Sequence, residues 1–192
     1  MNKIFGIGLP RTGTTSLSKA LRALGYEGQN YCFLHDTRAS DRTTFFEIDN
    51  SFYRNFKDIF HGNKNSKFIL TTRDRDSWRR SISRFLESSN LLNYKKALPD
   101  ITEYTEEVEK FFKNHGAEDQ LLTFDVFDES CNSGCKWKKL SDFLKIEVTR
   151  KDLPFPHANL LSSRDFRLPE RSTEFLGAYC MPCGLSRYSV WG

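Results

Sequence analysis

A short apolar run, Ile4-Phe5-Gly6-Ile7, passes directly into Gly8-Leu9-Pro10-Arg11-Thr12-Gly13-Thr14-Thr15-Ser16. A helical stripe of Leu17, Ala20, Leu21 and Leu24 follows, closed by Gly25. The order is strand, tight turn, helix, and no other stretch restricts the fold as much. Small residues let successive backbone N–H groups converge on an anion. The helix that follows adds its own unpaired N–H groups and the positive end of its dipole. Against the pattern GxxxxGK[ST], Gly8 and Gly13 fit, but Thr14 stands where the lysine belongs. The cation of this loop is Arg11, upstream of the second glycine.

That displacement narrows the chemistry. In nucleotide triphosphatases the lysine neutralises β- and γ-phosphates and the next hydroxyl holds magnesium. A loop with its cation upstream and two threonines after the glycine suits a 5′-phosphate gripped without a metal. A purely structural glycine turn is the competing interpretation.

Alternation continues along the chain. A weak strand is expected from Tyr31 to Leu34. Phe52, Phe56, Ile59 and Phe60 form a helical stripe before the strand Lys67-Phe68-Ile69-Leu70-Thr71-Thr72. Trp78, Ile82, Phe85 and Leu86 form the next stripe. Another, Tyr104, Val108, Phe111 and Phe112, precedes the strand Leu121-Leu122-Thr123-Phe124-Asp125-Val126. Strands alternating with helices predict an α/β fold, with a central parallel sheet between two helical layers.

Arg73 follows the strand at 67–72 and Ser81 lies eight residues later on the next helix. Ligands of open α/β sheets bind beyond the carboxyl ends of the strands, so Arg73 is well placed for an anion. A loop ion pair with Asp74, or a cap from Asp74 or Asp76, would explain the stretch equally well when taken alone. Arg75, Arg79 and Arg80 read as solvated, with a general pull on anions. Further on, Trp137, Leu140, Phe143 and Leu144 share a helix and precede Leu153-Pro154-Phe155-Pro156-His157-Ala158-Asn159. The prolines favour an extended segment there.

From Lys3 to Asn159 these features resemble the P-loop sulfotransferases that use adenosine 3′-phosphate 5′-phosphosulfate (PAPS), in their short bacterial-type and related branch. The loop resembles the family's 5′-phosphosulfate loop, a basic residue, Ser or Thr, then Gly-Thr-Thr. The later stretch resembles its W-x-x-L-x-x-F-L helix and F-P-x-x-N turn. The resemblance implies a P-loop, nucleotide triphosphatase-like topology. It also implies donor binding by Arg11, Thr12, Gly13, Thr14, Thr15 and Ser16, with Arg73 and Ser81 on the 3′-phosphate. Sulfuryl transfer to a hydroxyl would release adenosine 3′,5′-bisphosphate, with Arg11 stabilising the leaving oxygen and no metal required. For the general base the resemblance leaves His35, Glu47 and Asp49 open. The acceptor, a carbohydrate, a small alcohol or phenol, or a tyrosine, is set by loops expected in residues 26–50, 87–103 and 160–192.

The chain departs from the better-known enzymes of the family. Ser16 replaces a tryptophan that stacks on adenine. An R-K-G motif near the carboxyl terminus is missing, with Arg164 or Arg167 as substitutes. Two alternatives stay open: a P-loop nucleotide kinase or phosphohydrolase, weakened by the absent lysine and by the lack of an evident strand-end magnesium aspartate, and a non-catalytic nucleotide-binding protein of the same fold.

Composition sets the outer bounds. A chain of 192 residues with 17 phenylalanines and three tryptophans predicts one well-filled domain over 1–192. Residues 160–192 form a lid, an oligomer arm of a homodimer, or a flexible tail. The net charge of +4 suits an anionic ligand but does not argue for nucleic acid. No apolar run reaches the ~20 residues of a membrane span. The amino terminus enters a strand at once and the five cysteines are odd in number, so reduced thiols and a cytoplasmic setting are expected. Cys131 and Cys135 with Cys180 and Cys183 total four thiols, but their unequal, distant spacings do not read as a zinc site.

Overall fold

The computed structural model describes residues 3–31, 45–49, 52–88, 98–147 and 153–157. Five strands form one sheet: β1 Ile4–Gly6, β2 Glu27–Tyr31, β3 Phe45–Asp49, β4 Lys67–Thr72 and β5 Leu121–Asp125. Their order is β2-β3-β1-β4-β5 and every pairing is parallel. The helices are α1 Thr14–Ala23, α2 Phe52–Gly62, α3 Arg75–Ser88, α4 Ile101–Asn114 and α5 Ser133–Leu144. The expected α/β architecture, a parallel sheet between helical layers, is therefore present.

Strand periodicity explains the layers. Neighbouring side chains on a strand face opposite ways, and both faces of this sheet are apolar. Phe5, Ile7, Phe68 and Leu70 pack with Phe56, Phe60, Trp78, Tyr104 and Phe112, the inner faces of α2, α3 and α4. Ile4, Phe46, Ile48, Ile69 and Phe124 pack instead with Leu17, Leu21, Trp137 and Leu140 from α1 and α5. Phe155, in the proline-flanked segment, stacks on Trp137 at 4.8 Å, and Trp137 Nε1 donates to the Leu153 carbonyl at 2.8 Å. That motif serves the core.

Residues 26–50 correct the sequence expectation. The second strand is Glu27–Tyr31, and residues 32–34 lie outside the described ones. A further strand, β3, stands between β2 and β1, where a loop was expected. Its sequence, Phe45-Phe46-Glu47-Ile48-Asp49, carries acids that mask the apolar signal. Buried Glu47 is tolerated because Lys3 Nζ lies 3.7 Å from its carboxylate.

The expectation of reduced thiols also fails at one place. Cys131 and Cys135 are joined by a disulfide. Their Cα atoms lie 5.4 Å apart across the turn into α5, within the reach of such a bond. They are thus not available as thiolate ligands. Cys180 and Cys183 lie outside the described residues.

The loop after β1 is braced from the α3–α4 side. Trp78 Nε1 donates to the Pro10 carbonyl at 2.9 Å, and Tyr104 Oη donates to the Ile7 carbonyl at 2.7 Å. Replacing Trp78 with phenylalanine keeps most of the packing but leaves the Pro10 carbonyl unpaired. An unmade buried bond costs about 1–3 kcal/mol, so urea denaturation of Trp78→Phe should show a loss in that range.

Candidate functional site

The winding of the sheet reverses at β1, whose neighbours β3 and β4 come later in the chain. The crevice at such a reversal, beyond the carboxyl ends of the strands, is where open α/β sheets bind ligands. The loop Gly8–Ser16 lies there. Gly8 is required by close approach: a Cβ would overlap Thr71 Oγ1. Gly13 has φ 98°, a left-handed conformation that glycine adopts without strain.

Capping separates α1 from α3, α4 and α5. Asp74 Oδ1 accepts from Ser77 N at the start of α3, Asp100 caps α4 through Thr102 N, and Asn132 caps α5 through Cys135 N. At α1 the N-cap is Gly13, which offers no side chain, and the first turn holds no acidic residue. With neither a side-chain cap nor an acidic residue, the positive end of its dipole is uncompensated from within, which favours an anion there.

Arg11 and Ser81 meet directly. Arg11, at φ 69°, donates from Nε to Ser81 Oγ at 3.2 Å, and its guanidinium lies 5.5 Å from the Phe85 ring centroid. Arg73 follows β4 and stacks 4.1 Å over the Phe127 ring centroid. Its Nε is buried with no hydrogen-bond partner. Burial lowers the Arg11 pKa first, and the like charge of Arg73 lowers it further. Burial also lowers that of Arg73, against the pull of Asp125. The charge of Arg73 thus reaches Arg11, and an anion between them would relieve the repulsion.

The remaining sequence-predicted residues divide. Thr14 and Thr15 open α1. Thr12 is wholly buried, and its hydroxyl donates to the Leu9 carbonyl at 2.6 Å and lies 2.7 Å from Thr71 Oγ1. It locks the turn and is not displayed to a ligand. Ser16 is wholly buried. Glu47 lies midway along β3, level with Phe5, and is tied to Lys3 before β1. The structure does not bring it to the loop. Asp49 ends β3 and so occupies the carboxyl edge. His35 lies outside the described residues. Of the four exposed arginines of α3, Arg75 and Arg79 bind Asp100 at 2.9 Å each, and Arg80 bonds to Ser77 Oγ.

Sequence reasoning missed Asp125, at the carboxyl end of β5, and Phe127 just after it. Asp125 Oδ1 accepts from the Phe127 N–H at 2.7 Å. Burial is the main cause raising the Asp125 carboxyl above its ordinary range, with Asp128 adding to it; the Phe127 bond, Lys136 and Arg73 pull the other way. The folded state thus holds this proton more tightly than the unfolded chain. Stability from this group is full below the unfolded pKa of about 4 and is lost as pH rises through the folded value. Asp125→Asn keeps an acceptor but no titration. Denaturation from pH 3.5 upward should show the variant gaining on the wild type as pH rises.

Fold, reversal point and uncapped glycine loop define a phosphate-loop α/β protein. Comparison with known proteins is more specific. The sulfotransferase domain family matches residues 3–47, which carry β1, the loop and α1. The fold is similar to the crystal structure of mouse sulfotransferase SULT7A1 complexed with PAP, with a TM-score of 0.50 at 15% identity. The likeness covers 77% of this chain and 60% of the mouse chain. No curated protein matches the chain in sequence. The family match covers the segment around the loop, less than half of the chain, and the structural likeness shows the fold. Among the described residues no helix is long and apolar enough to cross a membrane.

Proposed function

We propose that this protein moves the sulfuryl group of PAPS to a hydroxyl on an acceptor. The observation that carries the proposal is the placement of Arg11, bonded to Ser81, and of Arg73, which follows β4 with its Nε unpartnered, beside an α1 terminus without its own cap. The residues fit such a donor. The start of α1, with no side-chain cap and no acidic residue in its first turn, marks one place for an anion, and the unpartnered Arg73 Nε marks a second. A nucleotide phosphorylated at both ends of its ribose would satisfy both.

Chemistry follows from the placement. An acceptor oxygen attacks sulfur in line, the bond from sulfur to the bridging oxygen breaks, and that electron pair stays on the 5′-phosphate. Arg11, the first-turn N–H groups of α1 and the hydroxyls of Thr14 and Thr15 stabilise the growing charge. The acceptor proton goes to a base. Asp49, the last residue of β3, suits that role by position, whereas Glu47 is turned to Lys3. His35 is the other candidate. These cationic and hydroxyl groups supply the electrostatic work without requiring a metal. The acceptor remains a carbohydrate, an alcohol or phenol, or a tyrosine.

A kinase or phosphohydrolase is the second reading, favoured by one observation: Asp49 and Asp125 both end strands, supplying the strand-end carboxylate that magnesium would need. Calorimetry with adenosine 3′,5′-bisphosphate and with ATP plus magnesium separates the two. The bisphosphate should bind at least about tenfold tighter than adenosine 5′-phosphate, the worth of one charged hydrogen bond or more. Equal binding of both, or preference for ATP with magnesium, overturns the proposal. Transfer of labelled sulfate from PAPS to a panel of sugars, phenols and alcohols then tests for activity against mere binding.

A further inference from the structure

We infer that Phe127 is a positioning residue that holds the Arg73 guanidinium for the phosphate at the 3′ end of the donor's ribose; this rests on the donor reading above. Among the described residues Arg73 makes no hydrogen bond or ion pair, and its Nε is buried without a partner. Its side chain is placed by the ring, 4.1 Å from guanidinium carbon to centroid, well inside the ~6 Å over which a ring face attracts a cation.

Charge alone would not fix Arg73. Arg11 and Arg80 repel it, while Asp125 and Asp74 attract it. The negative face of an aromatic ring offsets the repulsion where an aliphatic side chain would not. A guanidinium lying on a ring also keeps its N–H edge in plane, ready to fork onto phosphate oxygens.

Phe127 is itself fixed from three directions. Its N–H is held by Asp125 at 2.7 Å. Its ring meets the His157 ring edge-on at 5.4 Å. A Cβ on Gly13 would come within 3.2 Å of its Cε2, so the ring also lies against the phosphate loop. One side chain therefore touches both anion grips.

The test is calorimetry of adenosine 3′,5′-bisphosphate and adenosine 5′-phosphate on wild type, Phe127→Leu and Phe127→Tyr. The wild type should prefer the bisphosphate. Phe127→Leu should cut that preference about 3- to 30-fold, the span of a cation–ring contact, and any loss for adenosine 5′-phosphate, through the Gly13 contact, should be smaller. Phe127→Tyr should restore the preference. If the leucine variant keeps it in full, or loses affinity for both nucleotides equally, the ring does not position Arg73. Should the leucine variant fail to fold, Phe127→Trp carries the test: a stronger face must keep or raise the preference, and a fall overturns the inference. A wild type that binds both nucleotides alike removes the donor reading and this proposal with it.

Discussion

Arg11→Ala is expected to lower kcat for sulfuryl transfer about 10²–10³-fold, the usual cost of removing one preorganised donor to developing charge. Affinity for adenosine 3′,5′-bisphosphate should fall far less. The asymmetry arises because negative charge on the bridging oxygen is small in the bound donor and large at the transition state. Only interactions that strengthen between those states accelerate the reaction. Arg11 is preorganised for this. Its backbone is left-handed, its Nε is held by Ser81 at 3.2 Å, and its head lies over Phe85. Burial and Arg73 lower its pKa, yet an arginine keeps its charge across any working pH. Arg11→Lys should recover only part of the rate, since an ammonium restores charge but not the fork that spans Ser81 and a phosphate oxygen. Equal losses in kcat and in nucleotide affinity would mean that Arg11 merely binds, and its assigned role would fall.

How much of this was readable beforehand depends on the kind of signal. The loop and its flanking strand and helix were legible because glycine spacing and apolar periodicity are local properties. The positions of Arg73 after a strand and of Ser81 on the next helix were legible because a strand end and one helical face fix their side of the sheet; the bond of Ser81 to Arg11 across 70 residues could only be supplied by the fold. β3 stayed hidden because its acids break the apolar run, and the compensating Lys3 is 44 residues away. β2, Glu-Gly-Gln-Asn-Tyr, is polar as edge strands commonly are. The resemblance to the family named Thr12 as a ligand, but a threonine hydroxyl serves a ligand or its own turn equally well in sequence. Here Leu9 and Thr71 claim it. Phe127 and Asp125 were passed over as core and strand because nothing in the order of residues says that Arg73 will lie on that ring.

The second large effect is structural and falls on Gly8. Alanine there would place a Cβ within 2.6 Å of the Thr71 carbonyl oxygen and in overlap with Thr71 Oγ1. Neither can yield cheaply. The carbonyl belongs to a central strand paired on both sides. The hydroxyl is 2.7 Å from Thr12 Oγ1, which in turn bonds the Leu9 carbonyl. Overpacking a tight interior costs about 1–3 kcal/mol and more where backbone must move, so Gly8→Ala is expected at about 3 kcal/mol or beyond. Gly25→Ala is the control. Gly25 has φ 87° but nothing within 4 Å of an added Cβ, so only the left-handed backbone is strained, at about 1–2 kcal/mol. Adding Thr71→Ala to Gly8→Ala should return a minor part of the loss, because the hydroxyl overlap goes and the carbonyl contact stays. Urea denaturation of the four proteins, with nucleotide calorimetry under conditions where each remains folded, separates stability from binding. Gly8→Ala should lose bisphosphate affinity even where folded, because relief of the overlap must push the loop away from β4, and with it Arg11 from Arg73. A variant as stable as wild type, with affinity intact, would mean that the loop and β4 are not pressed together, and the two anion grips would no longer share one site.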